Sequence, residues 1–478
     1  MHKSATFALT SLALVAACSD TMNLPSRPVV SMDAVAANAA GGGQPTGRHI
    51  VAFTGAIPAD FSARVSALGG SVVWTSDETG LATVRGLTDA AAGQLAGSKG
   101  VQSVDADASF GLDLPSAIST AEADGAAAPH SASDPTTAVR YARQWNMRAV
   151  HADAAWAAGH LGSSSVHVYM LDSGIDYLHA DLIGLVDLNA STDLLGTFDV
   201  GGVPFTEADT VAKYFPGRLP FTDLFFHGTH TGATVSSNAV RAAGISSHTT
   251  LVAVKVCSYL DICPFSSILN GVIYAAQNGA DVINLSLGGS FSKAHNGRLV
   301  GFLNKVFNFA KSRGVTVVVS AGNSAADLDH DGNTYATFCD NPAAICVSAT
   351  GPTAQASVNG PWTDVDAIAY YTNFGSSAIS VAAPGGNNNT FVWAACSQTS
   401  LLVNCSSLPI FILGVQGTSM SAPHVSGTAA LLVPELGRNP SQIRARIEKT
   451  ADDLGKPGTD DFYGKGRLNT GRATGALP

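Results

Sequence analysis

Four largely apolar runs constrain the fold of this 478-residue chain more than any other feature. The runs lie at 166–171, 251–256, 282–285 and 315–320, and helical spacing at 268–277 and 299–312 separates some of them. Continuous apolar runs are typical of parallel strands that are buried on both faces. Alternating strands and helices therefore predict an α/β domain in which helices cover both faces of a parallel sheet. Reactive residues are expected at the carboxyl ends of its strands.

A smaller α+β unit is predicted upstream of this domain. Strand-like runs at 50–53, 71–74, 81–84 and 101–104 alternate with helical patterns at 59–68 and 90–95. The order β-α-β-β-α-β is that of ferredoxin-like domains. We therefore expect a ferredoxin-like unit over 48–107, a linker rich in Ala, Ser and Asp over 108–140, and the α/β domain over 141–478.

The first residues are predicted to be an export signal. Lys3 precedes an apolar stretch over 7–17, which has the length of a secretory signal. The triplet AAC that ends at Cys18 resembles a bacterial lipobox, in which the Cys becomes a lipidated N-terminus; an ordinary signal peptide with an incidental Cys is the alternative. We predict a signal peptide over 1–17, lipidation of Cys18 and a tether over 18–47.

Cysteine usage also favours export. The other six cysteines form three close pairs, 257 with 263, 339 with 346, and 396 with 405. Six cysteines allow many connectivities, and we expect nearest-neighbour disulfides (Cys257–Cys263, Cys339–Cys346 and Cys396–Cys405) because each pair flanks a loop-like segment. Six free thiols are less expected in an exported chain, and no His lies at zinc-ligand spacing beside a pair.

Charge and hydropathy exclude two classes of protein. The net charge of −10 argues against a nucleic-acid binder, which usually carries a basic patch. No run reaches the ~18 apolar residues that a membrane-spanning helix needs. Contact with a membrane is therefore expected only through the N-terminal lipid.

Three short blocks carry the residues of an acyl-transfer triad. Asp172 lies in LDSGID directly after an apolar run, His227 opens HGTHTG, and Ser419 lies in GTSMSAPHVSG. A Ser becomes a nucleophile when a His takes its proton, and a carboxylate holds that His in the required tautomer. The chain order Asp, His, Ser is one of the known orders of such a triad.

These blocks resemble the signatures of the subtilase family of serine proteases, and 48–107 is similar to the inhibitory propeptide of that family. The resemblance covers about 48–107 and 144–472. It implies a subtilisin-like three-layer fold and a serine endopeptidase made as a self-processing zymogen, cut within 108–140 and acting on peptides or proteins. It also implies that Asp172 orients His227, that His227 is the general base and acid, and that Ser419 is the nucleophile. No cofactor is required for that chemistry, and the mature enzyme is expected in the periplasm or outside the cell.

Two further blocks extend the expected site. SAGN at 320–323 resembles the block whose Asn side chain donates to the oxyanion, which implies this role for Asn323 beside the backbone N–H of Ser419. NLSLGG at 284–289 resembles the block that pairs with substrate backbone as an added strand. Ser286, Leu287 and Gly288 are therefore assigned to the substrate cleft; a Gly-rich strand end without this role is the alternative.

Structural calcium is an open expectation at two places. Asp327, Asp329 and Asp331 match the first half of a calcium loop, although Phe338 occupies the position of its final Glu. Asp181 matches a family position that can bind calcium. An acidic surface turn is the alternative for 327–331.

Two long segments depart from compact members of the family, and a second function stays open. Residues 187–225 are expected to form a surface insertion near the cleft, and residues 386–416 hold the third cysteine pair. Neither segment predicts a specificity. The alternative function is a non-catalytic, surface-anchored binding protein on a protease-like fold, against which the complete triad and Asn323 argue.

Overall fold

The computed structural model describes residues 43–112, 118–120, 130–336, 338–405 and 412–478. The predicted signal peptide, Cys18 and most of the predicted tether lie outside these ranges. Within them, no helix combines the length and the apolar character needed to cross a membrane.

The N-terminal unit has the predicted order of elements. It consists of β1 (Pro45–Phe53), α1 (Phe61–Ala67), β2 (Ser71–Ser76), β3 (Leu81–Arg85), α2 (Asp89–Ala96) and β4 (Val101–Phe110). The two helices pack on the antiparallel sheet through a small core that includes Phe53, Phe61 and Leu95. Strand β4 continues past the predicted boundary at 107, because its last residues find partners in a short strand of the larger unit, β11 (Cys263–Pro264).

The larger unit is built on a seven-stranded sheet with the order β19-β16-β14-β12-β6-β10-β7. Its strands are β6 (His167–Asp172), β7 (Thr192–Asp193), β10 (Thr250–Lys255), β12 (Val282–Leu285), β14 (Thr316–Ser320), β16 (Ala344–Thr350) and β19 (Val381–Pro384). Every pairing in this sheet is parallel. The four apolar runs form its central strands, as predicted.

Helices cover both faces of the sheet, which gives the predicted three layers. The helices are α3 (Trp145–Ala149), α4 (Ala152–Ala157), α5 (Glu207–Tyr214), α6 (His227–Val235), α7 (Phe265–Gln277), α8 (Lys293–Ser312), α9 (Thr418–Leu436), α10 (Pro440–Thr450) and α11 (Thr470–Ala473). Val317 and Val319 of β14 face the core that contains α7 and α8, while Val318 faces the core that contains α9. This explains why the runs are continuous, since alternate residues of one strand enter different cores.

Short strands form smaller sheets around this frame. They are β5 (Ile118–Thr120), β8 (Thr197–Val200), β9 (Val203–Thr206), β13 (Ser290–Ser292), β15 (Thr334–Ala336), β17 (Ala354–Gln355), β18 (Trp362–Thr363), β20 (Val392–Ala395) and β21 (Ile412–Val415). The segment 187–225 contains β7, β8, β9 and α5. It is more than a surface insertion, because Leu195 and Phe198 are fully buried in a small core of their own.

The six cysteines of the larger unit lie in three pairs at disulfide distance, Cys257–Cys263, Cys339–Cys346 and Cys396–Cys405. All six side chains are buried. The arrangement fits the predicted nearest-neighbour pairing. The first disulfide closes the loop that leads into β11 and thereby braces the strand that receives the end of β4.

Candidate active site

Asp172 and His227 meet at the carboxyl end of the central strand β6. Asp172 ends β6 and His227 begins α6, and Nδ1 of His227 donates to Oδ1 of Asp172 at 2.8 Å. Asp172 also accepts from the backbone N–H of Ser173 at 2.7 Å and from the hydroxyl of Thr231 at 3.1 Å. Both side chains are fully buried, so the tautomer and the plane of the imidazole are fixed.

The electrostatic surroundings favour the protonated ring. Burial opposes a charge on His227, but the attraction of Asp172 and the hydrogen bond to it outweigh this effect and raise the pKa of His227 above its usual value. The second ring nitrogen, Nε2, is buried and has no hydrogen-bond partner among the described residues. It is therefore the nitrogen that could take a proton from a neighbouring group.

A second buried carboxylate, Asp223, holds the turn that presents His227. Its Oδ1 accepts from the backbone N–H groups of Phe225 and Phe226 at 2.9 and 3.1 Å. Its Oδ2 accepts from the backbone and the hydroxyl of Thr229 at 2.9 and 2.6 Å. Phe226 has a φ of 153°, which is rare for a residue with a side chain. Burial raises the pKa of Asp223 to about 6, although the bonds from Thr229 oppose this.

Sequence analysis missed Asp223. Asp223 lies three residues before Phe226, the N-cap of the helix, so the rule that a capping side chain stands directly before a helix does not find it.

Ser419 lies in the first turn of α9, close to the block at 284–289. Its hydroxyl donates to the backbone carbonyl of Ser286 at 3.1 Å, while the Ser286 hydroxyl donates to the carbonyl of Ser419 at 2.8 Å. The structure therefore brings Ser419 to the predicted cleft. Its hydroxyl donates to the carbonyl oxygen of Ser286 rather than to His227.

Asn323 lies beside the start of the same helix. Its Oδ1 accepts from the backbone N–H and the hydroxyl of Thr418 at 2.8 and 2.9 Å. These two bonds fix which end of the amide is oxygen. Another side chain that sequence analysis missed, Tyr371, supports the preceding residue, because its buried hydroxyl accepts from the N–H of Gly417 at 2.9 Å.

Residues 109–112 of the chain lie against the predicted substrate cleft. Ser109 and Phe110 pair with β11, Gly111 pairs with Gly288 in antiparallel register, and the N–H of Leu112 donates to Asp261 at 2.6 Å. The carbonyl oxygen of Leu112 lies 3.5 Å from the hydroxyl of Ser419. The Leu112 side chain is fully buried.

A second stretch of the expected linker pairs with a strand that leads to Ser419. Strand β5 pairs in antiparallel register with β21, which ends at Val415 just before the GTS block. The N-terminal part of the chain is thus paired with the larger unit at 109–111 and again at 118–120.

The acidic side chains considered for calcium have other partners. Asp327 accepts from His330, Asp329 from Ser376 and Ser377, Asp331 from Lys293, and Asp181 from the backbone N–H groups of Arg241 and Ala242. In the part of the chain that the structure describes, no group of three or more His, Cys, Asp or Glu side chains is placed to hold a metal ion. Structural calcium stays a hypothesis.

Comparison with known proteins gives a consistent result. A sequence model of the subtilase family matches residues 163–466. Thermitase from Thermoactinomyces vulgaris is 31% identical over 338 residues, which are 69% of this chain and 95% of thermitase.

Solved structures of similar fold cover more of the chain. The epidermin leader peptide processing serine protease of Staphylococcus aureus superimposes with a TM-score of 0.67 at 19% identity, over 90% of this chain and 98% of that one. Fervidolysin from Fervidobacterium pennivorans, a keratinolytic enzyme, gives 0.66 at 20% identity, over 91% and 62%. At this level of identity the likeness concerns the fold.

Proposed function

Because this chain belongs to the subtilase family and is thus a subtilisin-like serine protease, we propose that it is an endopeptidase exported as a zymogen that cuts its own chain after Leu112. The unit over 45–110 is then an inhibitory propeptide. The substrates of the mature enzyme are peptides or proteins.

In this proposal the three blocks supply one acyl-transfer site. The Ser419 hydroxyl attacks the carbonyl carbon of Leu112 while Nε2 of His227 takes its proton, and Asp172 holds the ring through Nδ1. The N–H of Ser419 and the side-chain amide of Asn323 donate to the oxyanion. His227 then protonates the leaving amine, and water hydrolyses the ester on Ser419 after giving a proton to the same ring. No cofactor takes part in these steps.

One observation carries the choice of bond: the carbonyl oxygen of Leu112 lies 3.5 Å from the hydroxyl of Ser419. The pairing of Gly111 with Gly288 holds the chain before this bond, and the pairing of β5 with β21 holds it after. Antiparallel pairing is how extended peptides commonly bind to proteins. An apolar residue before the cut bond is favoured, because Leu112 is fully buried.

The order of segments along the chain also supports a proposal on localisation. A lipid on Cys18 would anchor the uncut chain, and the cut after Leu112 would separate that lipid from the catalytic domain. The lipidated N-terminal fragment then stays on the membrane, and the mature enzyme is released once the fragment dissociates.

The test compares the wild-type chain with Ser419→Ala. We expect the wild type to give a soluble fragment that begins at Asp113 and reacts with a fluorophosphonate. Ser419→Ala should stay uncut and membrane-bound, with self-cleavage slowed by at least about 10³-fold. Mass spectrometry of fractionated cells measures both.

The matched control is Ser421→Ala, which removes a buried hydroxyl of the same helix that has no partner among the described residues. This variant should still cut itself. Normal processing of purified Ser419→Ala would contradict the proposal. A processed wild type that the fluorophosphonate does not label would favour the non-catalytic binding protein instead.

A further inference from the structure

A buried arginine of the N-terminal unit lies inside the larger unit. Arg48 belongs to β1 and is only 2% exposed. Its Nε donates to the carbonyl of Thr197 at 3.2 Å, and Nη2 donates to the carbonyls of Thr197 and Leu195. Its Nη1 donates to the hydroxyls of Ser266 and Ser267 at 3.3 and 2.9 Å. These bonds match the five N–H groups of a guanidinium, so none is left unsatisfied.

Asp107 of β4 completes the network from the same unit. Its carboxylate accepts from the backbone N–H and the hydroxyl of Ser266 at 2.9 and 2.7 Å, and from the Thr46 hydroxyl at 2.8 Å. Ser266 lies in the first turn of α7, where a negative charge is stabilised by the helix N–H groups. The Ser266 hydroxyl thus connects the two charged side chains.

The carbonyl groups that receive Arg48 belong to the insertion 187–225. Leu195 and Thr197 lie in the insertion 187–225, and the ring of Phe198 lies 5.9 Å from the guanidinium carbon of Arg48. The backbone approaches closely as well, since a Cβ on Gly47 would collide with the carboxylate of Asp199. The insertion therefore fits both the side chain of Arg48 and the glycine before it.

We propose that residues 195–199 together with Ser266 and Ser267 form a guanidinium-binding site whose ligand is Arg48, and that this site retains the N-terminal unit after the chain has been cut. The inference rests on the proposed function, because it concerns the step that follows cleavage after Leu112. No atom of the cut bond belongs to the site, so cleavage leaves these contacts intact. Removing one partner from a buried, hydrogen-bonded charged group weakens association strongly.

The experiment measures two times in the full-length chain, the time at which the chain is cut and the time at which active enzyme appears. Denaturing gels follow the cut, and hydrolysis of a small chromogenic peptide follows the appearance of free enzyme. Arg48→Met keeps the apolar stem and removes the guanidinium. We expect the cut at the same bond and an interval between cut and activity that is at least about tenfold shorter than in the wild type.

Arg64→Met is the matched control. Among the described residues, Arg64 bonds only within the N-terminal unit, to Asp60 and to the carbonyl of Lys99, and should leave the interval unchanged. An interval in Arg48→Met equal to that of the wild type would overturn the proposal. If Arg48→Met does not cut itself, Ser267→Ala decides, since it removes one acceptor from the larger unit; we expect a shorter interval, and an unchanged one overturns the site.

Failure of the proposed function would give a result that can be distinguished from failure of the guanidinium-binding site. In that case the wild type is not cut at all, and the site is tested on the Ser419→Ala chain nicked in the linker by an added protease. Size-exclusion chromatography then shows whether the N-terminal fragment stays bound. Retention in Ser419→Ala and loss in the double variant with Arg48→Met support the site, and equal retention overturns it.

Discussion

Two of the attachments between the N-terminal unit and the larger unit differ in kind. At the first, the side chains of Arg48 and Asp107 bond to the insertion and to the start of α7. At the second, residues 109–112 lie in the cleft and bond mainly through their backbone. Side-chain networks recognise one partner, whereas backbone pairing accepts many sequences. On the proposed function, the difference indicates that the cleft is suited to varied substrates and the insertion to a single ligand.

The carbonyl oxygen of Leu112 lies 3.5 Å from the hydroxyl of Ser419. Leu112 is fully buried, while Gly111 before it offers no side chain. Selectivity for the cut is therefore expected to come from the pocket that holds Leu112.

The largest effect is expected from Leu112→Asp, which changes the attachment formed by residues 109–112. A carboxylate in that buried pocket loses its hydration without gaining a partner. Self-cleavage should slow by about 10²-fold or more, followed on gels after refolding. Leu112→Met, which conserves volume, should cut at nearly the wild-type rate. Equal rates of self-cleavage for Leu112→Asp and the wild type would show that the cleft binds the chain through its backbone alone.

A smaller effect is expected from Asp223→Asn, and it depends on pH. The reaction needs neutral His227, so activity falls as the pH drops through the raised pKa of this ring. Burial opposes that raised value, while Asp172 and, more weakly, Asp223 support it. Loss of the Asp223 charge should move the acidic limb of kcat/KM to lower pH, by less than about one pH unit.

The control for this pH shift is Asp209→Asn, which removes an exposed charge on α5. The limb should then stay in place. Asp223 contacts neither attachment, so the interval between cut and activity should also be unchanged in Asp223→Asn. A limb that moves to higher pH would contradict the assigned electrostatics.

The smallest effect is expected from the double variant Cys257→Ser, Cys263→Ser. The loop that this disulfide closes carries Asp261, which accepts from the N–H of Leu112 at 2.6 Å. Self-cleavage should slow a few-fold, while the interval that follows the cut stays the same. Thermal unfolding should show a loss below ~3 kcal/mol, since the closed loop is short.

The corresponding double variant of Cys396 and Cys405 is the control, because that loop does not carry Asp261 or pair with 109–112. It should lose a similar amount of stability without a slower cut. Equal slowing in both variants would mean that general loosening, and not the cleft attachment, sets the rate.

Features that leave a local pattern could be predicted from the sequence. Each central strand is buried on both faces and shows it as an apolar run, which is why the parallel sheet was predicted. Asp172 at a strand end and His227 in its block were expected to meet, and Oδ1 of Asp172 lies 2.8 Å from Nδ1 of His227. The pairing of cysteines that are close in sequence could be predicted for a similar reason, because their short loops limit the choice of partner.

Features that depend on distant contacts could not be predicted. Arg48 and Thr197 are 149 residues apart, and the hydrogen bonds between them leave no periodic signal in either segment. The extension of β4 to Phe110 likewise depends on β11. The insertion was expected at the surface because the gap between Asp172 and His227 is longer than in compact members of the family. The burial of Leu195 and Phe198 depends on Ile262, which lies outside the segment.

The small core around Phe53, Phe61 and Leu95 has a consequence for a population of molecules. A domain of this size buries a modest share of its surface and unfolds more readily than the catalytic domain. On the proposed function, each enzyme that has lost its N-terminal unit can digest the units that its neighbours release. Digestion prevents rebinding, so each active enzyme that forms speeds the activation of further zymogens. Crowded zymogens would then activate in a burst, whereas isolated ones would activate one at a time.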